Sequence, residues 1–412
     1  MSGPIDIYLD HAATTAPRPE VLEAMRAVQA SAWANPGSPH RAGRAARAAL
    51  DDARERLATR LGAEPREIVF TSGGTEADNL AIKGAAWAGK GRGHRILTST
   101  VEHHAVGHTT RYLEKFGFEI TEVGVDRYGR IDPDAVEAAI TDRTTVVSLM
   151  YANNEVGTIQ PIADVVERVR RHHGVLLHVD AVQAGPWIAL DLDALGADLV
   201  SLAAHKFEGP RGIGALYIRH GTHILAQQHG GSQERHRRAG TEDVAGAVGM
   251  AAAYDLVRDE LPVTVARVRR LRERLQRAVL ATDGVELTGH PTDRLPGILS
   301  VIARGTDGSS VVLALDLDGV AAAIGSACTS GSTEVSHVLT AMGYPEDEAR
   351  GALRLSLGRT TTEAEIDAAA EIVPRVIAHQ RDALMTGGGT AGALPAGATP
   401  APATGVSSGA SG

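Results

Sequence analysis

Leu199-Val-Ser-Leu-Ala-Ala-His-Lys-Phe-Glu-Gly-Pro-Arg-Gly212 is an apolar run that ends on a lysine and a glycine turn. Its first part, Leu199–Ala204, carries Ser201 as its one polar residue, as a strand covered on both sides should. Similar short runs occur at Glu67–Thr71, Arg95–Ser99, Thr144–Met150, Val175–Asp180 and Gly212–Arg219. Helical stretches such as Thr75–Ala88 and Pro161–His173 lie between them. This alternation implies an α/β fold around a mostly parallel sheet. Earlier in the chain, His40–Leu61 reads as a long helix capped near Ser38-Pro39. Val244–Thr282 reads as helical for most of its length, interrupted around Pro262, and links the sheet domain to a smaller one. Residues 265–385 hold a mixed α+β pattern, including Ser310–Leu317 and a helix over Ser332–Met342. The expected division is a large domain over 16–260, a small domain from 1–15 and 261–385, and a tail over 386–412. The tail is Gly, Ala and Pro-rich and uncharged, which reads as disordered.

Composition narrows the function. The chain has 412 residues, 43% hydrophobic and 22% charged, the balance of a folded globular protein. A net charge of −9 argues against a main task on nucleic acid or anionic membrane, since both need a basic surface. No run of 18 apolar residues exists, so no membrane span is expected. Met1–His11 lacks the basic and apolar regions of a signal peptide. A single cysteine, Cys328, excludes an intrachain disulfide framework and fits a reducing cytoplasm. Lysine is scarce: Lys83, Lys90, Lys115 and Lys206 are the candidates for any lysine chemistry.

Two motifs point away from common chemistries. Gly84–Gly91 (GAAWAGKG) approaches a P-loop but lacks the Ser/Thr after Lys90 and ends a helix instead of following a strand. His104 and His108 are spaced to share a helix face, yet no third ligand for zinc suggests itself. Three others converge. In Thr71–Asn79 (TSGGTEADN) glycines lead from a strand into a helix, and free N–H groups there with the Thr75 hydroxyl suit a phosphate. In His178-Val-Asp180-Ala-Val-Gln183 an acid ends a buried strand, where sites of open α/β sheets gather. Buried, it needs a cationic partner, and a protonated pyridine nitrogen would serve. Lys206 follows the next strand, in a setting suited to a Schiff base. A phosphate cradle, an acid and a lysine are the groups that pyridoxal phosphate requires. Cys328 lies among small residues in Ile324-Gly-Ser-Ala-Cys328-Thr-Ser-Gly-Ser332, a setting for an accessible thiol.

Together these segments resemble the cysteine desulfurases of the NifS/IscS type, in the class V aminotransferase group of fold-type I pyridoxal-phosphate enzymes. The resemblance runs from Tyr8-Leu-Asp-His-Ala-Ala-Thr-Thr15 to Ser356-Leu-Gly-Arg359. It implies a seven-stranded, mostly parallel sheet in the large domain and a homodimer. Lys206 would carry the cofactor, Asp180 would keep its ring nitrogen protonated, and Gln183 would bond its phenolic oxygen. His103 would stack on the ring and move protons. Gly74, Thr75 and His205 would bind the phosphate, as would Thr241 from the partner subunit. Asn154 and Arg354 would face the substrate, with Arg354 forked onto its carboxylate. Cys328 would be the nucleophile that takes sulfur from L-cysteine as a persulfide and leaves alanine. The sulfur would then pass to an acceptor protein of iron–sulfur assembly or a thiolation pathway. A selenocysteine lyase or another class V β-lyase is the rival enzyme, and a sulfur-relay docking partner with weak turnover the rival of another class. Two departures stand out. Ala203 occupies a position where the family often has a phosphate-binding serine, for which Ser201 could substitute. The uncharged tail replaces a region that often docks the scaffold protein, which opens the partner's identity.

Overall fold

The computed structural model describes residues 7–325 and 335–385. Cys328 and the tail lie outside the described residues. The central sheet has seven strands in the order Ile68–Thr71, Gly214–Ile218, Leu199–Ala203, Leu176–Asp180, Thr144–Met150, Arg95–Ser99 and Glu119–Val123. Gly214–Ile218 runs antiparallel to both its neighbours, and the remaining pairs are parallel. The strands Thr144–Met150, Leu199–Ala203 and Gly214–Ile218 are buried at every residue, which matches their continuous apolar sequence. Glu119–Val123 escapes the same reading because it is an edge strand, half-exposed and interrupted by Thr121 and Glu122.

Helices cover both faces. On one, Gly74–Gly89 and His104–Glu114 pack Leu80, Ile82, Val106 and Leu113 onto the sheet. On the other, Arg41–Arg60 and the first half of Val244–Leu280 bury Leu50, Leu57, Met250 and Tyr254. The helix Arg41–Arg60 is capped by His40, whose Nδ1 accepts from the Gly43 N–H, one residue beyond the expected cap.

A second core lies around an antiparallel sheet of Val285–Leu287, Ile298–Ala303 and Ala352–Ser356. Ile7 and Leu9 join it, and Ile7–Tyr8 pairs in parallel with Val320–Ala321. Val244–Leu280 supplies both cores as one 37-residue helix, contrary to the expected break near Pro262. The proline ring faces solvent, so the missing hydrogen bond is lost on the outer side, where helices curve open at least cost. Leu261 on one side and Val268 and Leu271 on the other hold the axis through it. Ser310–Leu317 belongs to the helix Gly308–Leu317. The helix expected over Ser332–Met342 is His337–Ala341 within the described residues.

The return from the sheet to Val244–Leu280 is strained. Glu234, Arg235 and His236 hold φ of 46°, 56° and 64°, the left-handed region that side chains avoid. The Glu234 carboxylate fixes the strain. It accepts two bonds of 2.7 Å from Arg54 and a third from the Phe70 N–H. Arg54 stacks over the Phe70 ring, and both charges are buried. Glu234→Ala should lower the unfolding free energy by about 3–5 kcal/mol in urea titrations, because Arg54 is left buried and unpaired. Arg54→Met in that background should recover much of the loss, and no recovery would mean that the left-handed turn itself needs the carboxylate.

Candidate active site

The parallel strands end along one edge of the sheet, where a cavity of about 370 Å³ opens. After Leu199–Ala203 the chain makes one tight turn, Ala204–Lys206, which aims Lys206 into that cavity. Lys206 Nζ donates to the carbonyls of Ala12 and Ala13, at 2.6 and 2.8 Å. The N-terminal segment clamps the same turn. Thr15 donates its N–H and its hydroxyl to the His205 carbonyl, and its hydroxyl accepts from the Glu208 N–H. Glu208, itself at φ 62°, bonds Arg18 at 2.5 Å and Arg359 at 2.7 Å, while Arg18 forks onto Glu260.

Asp180 ends the neighbouring strand. Its Oδ1 accepts from the Val182 N–H at 2.9 Å. Burial raises its carboxyl to about 6, against the pull of that N–H and of the Lys206 charge. Gln183 Nε2 donates to the Ala12 carbonyl. His103 caps the helix His104–Glu114, its Nδ1 accepting from the Ala105 N–H. Burial first, then the charge of Lys206 and the neighbouring histidines, holds the imidazole down to about 4, so it is neutral at physiological pH. His205 is likewise held down to about 4 by burial and by Lys206.

Gly74 and Thr75 open the helix Gly74–Gly89 at the cavity wall, behind Gly73 at φ 148°. The helix N-terminus offers N–H groups that no residue of its own helix can accept. Ala203 also lines this wall. Ser201 cannot stand in for the missing serine: it lies on the same face two residues deeper, fully buried, with its hydroxyl 2.9 Å from His178 Nε2.

Arg354 reaches the cavity from the second core. It is buried, bonds Asp10 at 2.8 Å, and donates to the Asn154 carbonyl at 2.9 Å. Asn154 itself lines the cavity. Asn153 shapes its turn by accepting from the Glu155 and Val156 N–H groups. Thr241 is not brought to this cavity. It lines a separate surface cavity of about 430 Å³ with Trp33, Asn35 and Asp243. His104 gains His337 as a ring neighbour besides His108, both at 4.9 Å between centroids. Among the described residues no group of three or more His, Cys, Asp or Glu is arranged to hold a metal.

Sequence reasoning missed Asp10, Asp78 and Glu102. Asp78 carried a signal, since it follows Thr75 by three residues and so shares its helix face. Glu102 is fully buried; it accepts from Ser99 and from the Met150 N–H, and burial raises it to about 8.

The donor set fits pyridoxal phosphate. Asp180 is a buried acid that accepts a hydrogen bond from a backbone N–H, and a ring cation would complete it. A helix N-terminus with Thr75 and His205 stands ready for the phosphate, and Lys206 for the aldehyde.

The aminotransferase class-V family profile matches residues 7–369. A cysteine desulfurase IscS of Methanosarcina thermophila is 46% identical over 376 residues, 91% of this chain and 93% of that protein. A solved NifS-like protein superposes with a TM-score of 0.86 at 36% identity, covering 91% of this chain and all of the other. SspA in complex with cysteine gives a TM-score of 0.76 at 33% identity, covering 86% of this chain and all of the other. The chain belongs to the class-V aminotransferase family, and within it to the cysteine desulfurases, a group of enzymes that depend on pyridoxal phosphate. No helix among the described residues is long and apolar enough to cross a membrane.

A methyl group on Gly74 would lie 2.7 Å from Val182 Cγ2 at the cavity wall. Gly74→Ala should therefore cost about 1–3 kcal/mol of stability through overpacking, and weaken cofactor retention in dialysis. Adding Val182→Ala should restore both. A Gly74→Ala protein as stable and as well loaded as the wild type would show that Val182 yields freely.

Proposed function

We propose that this protein binds pyridoxal phosphate through Lys206 and converts L-cysteine to L-alanine, passing the sulfur to an acceptor protein through a persulfide on Cys328. The observation that carries this reading is the joint placement of Lys206, Asp180 and the Gly74-Thr75 helix start around one cavity beside Arg354.

Each side chain has a task that its surroundings support. Gly74, Thr75 and His205 hold the phosphate. Asp180, ionised at neutral pH, keeps a proton on the ring nitrogen, and Gln183 donates to the phenolic oxygen. Neutral His103 stacks on the ring and can accept a proton. Arg354 binds the substrate carboxylate beside Asn154, its guanidinium aimed by Asp10. When bound, pyridoxal phosphate supplies an electron sink for the pairs released at the substrate's Cα and Cβ. Lys206 takes the Cα proton and later returns one. The Cys328 thiolate attacks the substrate sulfur, so that an S–S bond forms as the Cβ–S bond breaks. The electron pair of the broken bond stays on the carbon side and is protonated to the methyl group of alanine. The products are alanine and a Cys328 persulfide.

Thr241 and Trp33 support a homodimer. Thr241 stands at a surface cavity instead of the phosphate wall, and Trp33 beside it is 77% exposed. A second copy covering that face would bury the indole and bring Thr241 to the partner's phosphate. We place the reaction in the cytoplasm, and divide the chain into a cofactor domain over 16–260 and a small domain of 1–15 and 261–385.

Cys328→Ser tests the sulfur step. The variant should bind pyridoxal phosphate and L-cysteine normally, yet form alanine at a rate lower by orders of magnitude, because a serine hydroxyl is no thiolate. Wild-type protein exposed to cysteine should gain one sulfur on the peptide that carries Cys328, read by mass spectrometry. Near-normal alanine output from the variant would mean direct elimination and a lyase.

Asp10→Asn tests the aim of Arg354. KM for cysteine should rise about ten-fold with kcat changed much less, the size of one lost charge-assisted bond at a partly exposed carboxylate. A fall in KM would show instead that Asp10 competes with the substrate for the guanidinium.

A further inference from the structure

A second buried carboxyl lines the cofactor cavity. Asp78, on the helix Gly74–Gly89, is 1% exposed and stands on the cavity wall with Asp180. Behind it, three central strands present Ser148, His178 and Ser201, all fully buried. His178 Nδ1 lies 2.8 Å from Ser148 Oγ, and Nε2 lies 2.9 Å from Ser201 Oγ. Ser201 also stands beside the Asp78 carboxyl and favours its charged form. One carboxyl oxygen, Asp78 Oδ1, is 3.5 Å from His178 Nε2 and has no hydrogen-bond partner among the described residues. A line of four buried polar side chains thus runs from the helix Gly74–Gly89 through three central strands.

Two carboxylates this deeply buried in one site cannot both stay ionised. Their surroundings decide which keeps the charge. Asp180 accepts a backbone N–H and feels the Lys206 charge. Asp78 faces Asp180, Glu102, a serine and an imidazole, with no cation among them. Burial and the Asp180 charge push the Asp78 carboxyl well above its ordinary range, while burial keeps His178 neutral, down at about 3. With the proton on Asp78 the line is satisfied in one direction. Asp78 donates to Ser201, Ser201 to His178 Nε2, and His178 Nδ1–H to Ser148. The unpartnered Oδ1 is then a neutral carbonyl oxygen, cheaper to bury than half of a carboxylate.

We propose that Asp78 is a positioning residue: a neutral carboxylic acid, anchored through Ser201 and His178, that leaves the negative charge of the cavity wall on Asp180. An ionised Asp78 would draw a proton onto Asp180 and remove the partner of the cofactor's ring nitrogen. This role rests on the reading that the cavity holds pyridoxal phosphate, but the location of the proton does not.

The proton can be read without turnover. Infrared spectra of the full chain near neutral pH, with the cofactor removed, should show a protonated-carboxyl band that Asp78→Asn abolishes and Asp180→Asn preserves. Glu102→Gln identifies the other band expected there. Unfolding of the cofactor-free wild type should release one proton more than unfolding of Asp78→Asn. A band that survives Asp78→Asn and vanishes in Asp180→Asn overturns the proposal. If Asp78→Asn does not fold, Ser201→Ala should keep the band and shift its frequency, and an unshifted band overturns the anchoring. The positioning role is read from pyridoxal phosphate titrations. Asp78→Leu should weaken binding about ten-fold, and the neutral amide of Asp78→Asn should recover most of it. An amide variant as weak as the leucine one overturns the role, because the charge would then matter. Wild-type protein that binds no pyridoxal phosphate would sink the cofactor reading and the role together, whatever the infrared spectra say of the proton.

Discussion

Everything at the cavity depends on how the turn after Leu199–Ala203 is held. A lysine on a four-carbon stem has several rotamers to lose, and a glycine-rich turn adds its own freedom. The structure removes both with the N-terminal segment. The carbonyls of Ala12 and Ala13 fix Lys206 Nζ, and Thr15 takes the backbone on either side of it. Glu208 then ties that backbone to Arg18, and to Arg359 beside the second core. The ammonium is thereby kept in place by neutral acceptors. A carboxylate there would hold the charge far more tightly than these carbonyls do.

The same clamp joins the two cores. Ile7 and Leu9 are packed in the second core, while Thr15 and Arg18 sit on the large sheet's lysine turn. Arg354 leaves the second core to meet Asp10 from the same N-terminal stretch. The first dozen described residues therefore carry the geometry between Arg354 and Lys206. The long helix Val244–Leu280 does so at greater distance, through packing and through Glu260, which takes Arg18, and Arg267, which donates to the Arg359 and Thr361 carbonyls. A short strand pair, Ile7–Tyr8 with Val320–Ala321, supplies the remaining register.

Much of this was legible from the sequence, and the reasons are physical. Fully buried parallel strands such as Thr144–Met150 leave an unbroken apolar run. Asp180 and Lys206 stand out because each is a charge at the end of such a run. Glu119–Val123 was not legible, because an edge strand carries polar residues on its open side. Pro262 misled for a different reason. Proline breaks helices where its ring must enter packed space, and here the ring points outward. Asp10 and Glu102 were invisible because their meaning lies in contacts across the fold. Asp10 matters through Arg354, 344 residues away in sequence, and Glu102 through the Met150 backbone on another strand.

Ser201 shows how fine the resolution of such reading must be. Ser201 and Ala203 share a face of one strand, so a hydroxyl at either looks equivalent in a sequence. One strand repeat of about 6.6–6.8 Å separates them, more than two hydrogen-bond lengths. At position 203 a side chain meets the cavity and the start of the helix Gly74–Gly89. At position 201 it meets His178 and is closed off from the cavity. A phosphate at the helix start would thus rely on backbone N–H groups, Thr75 and His205, while Ser201 is turned to His178 behind the wall. A hydroxyl at 201 has a protein partner, and only at 203 would it face the cavity and a ligand there.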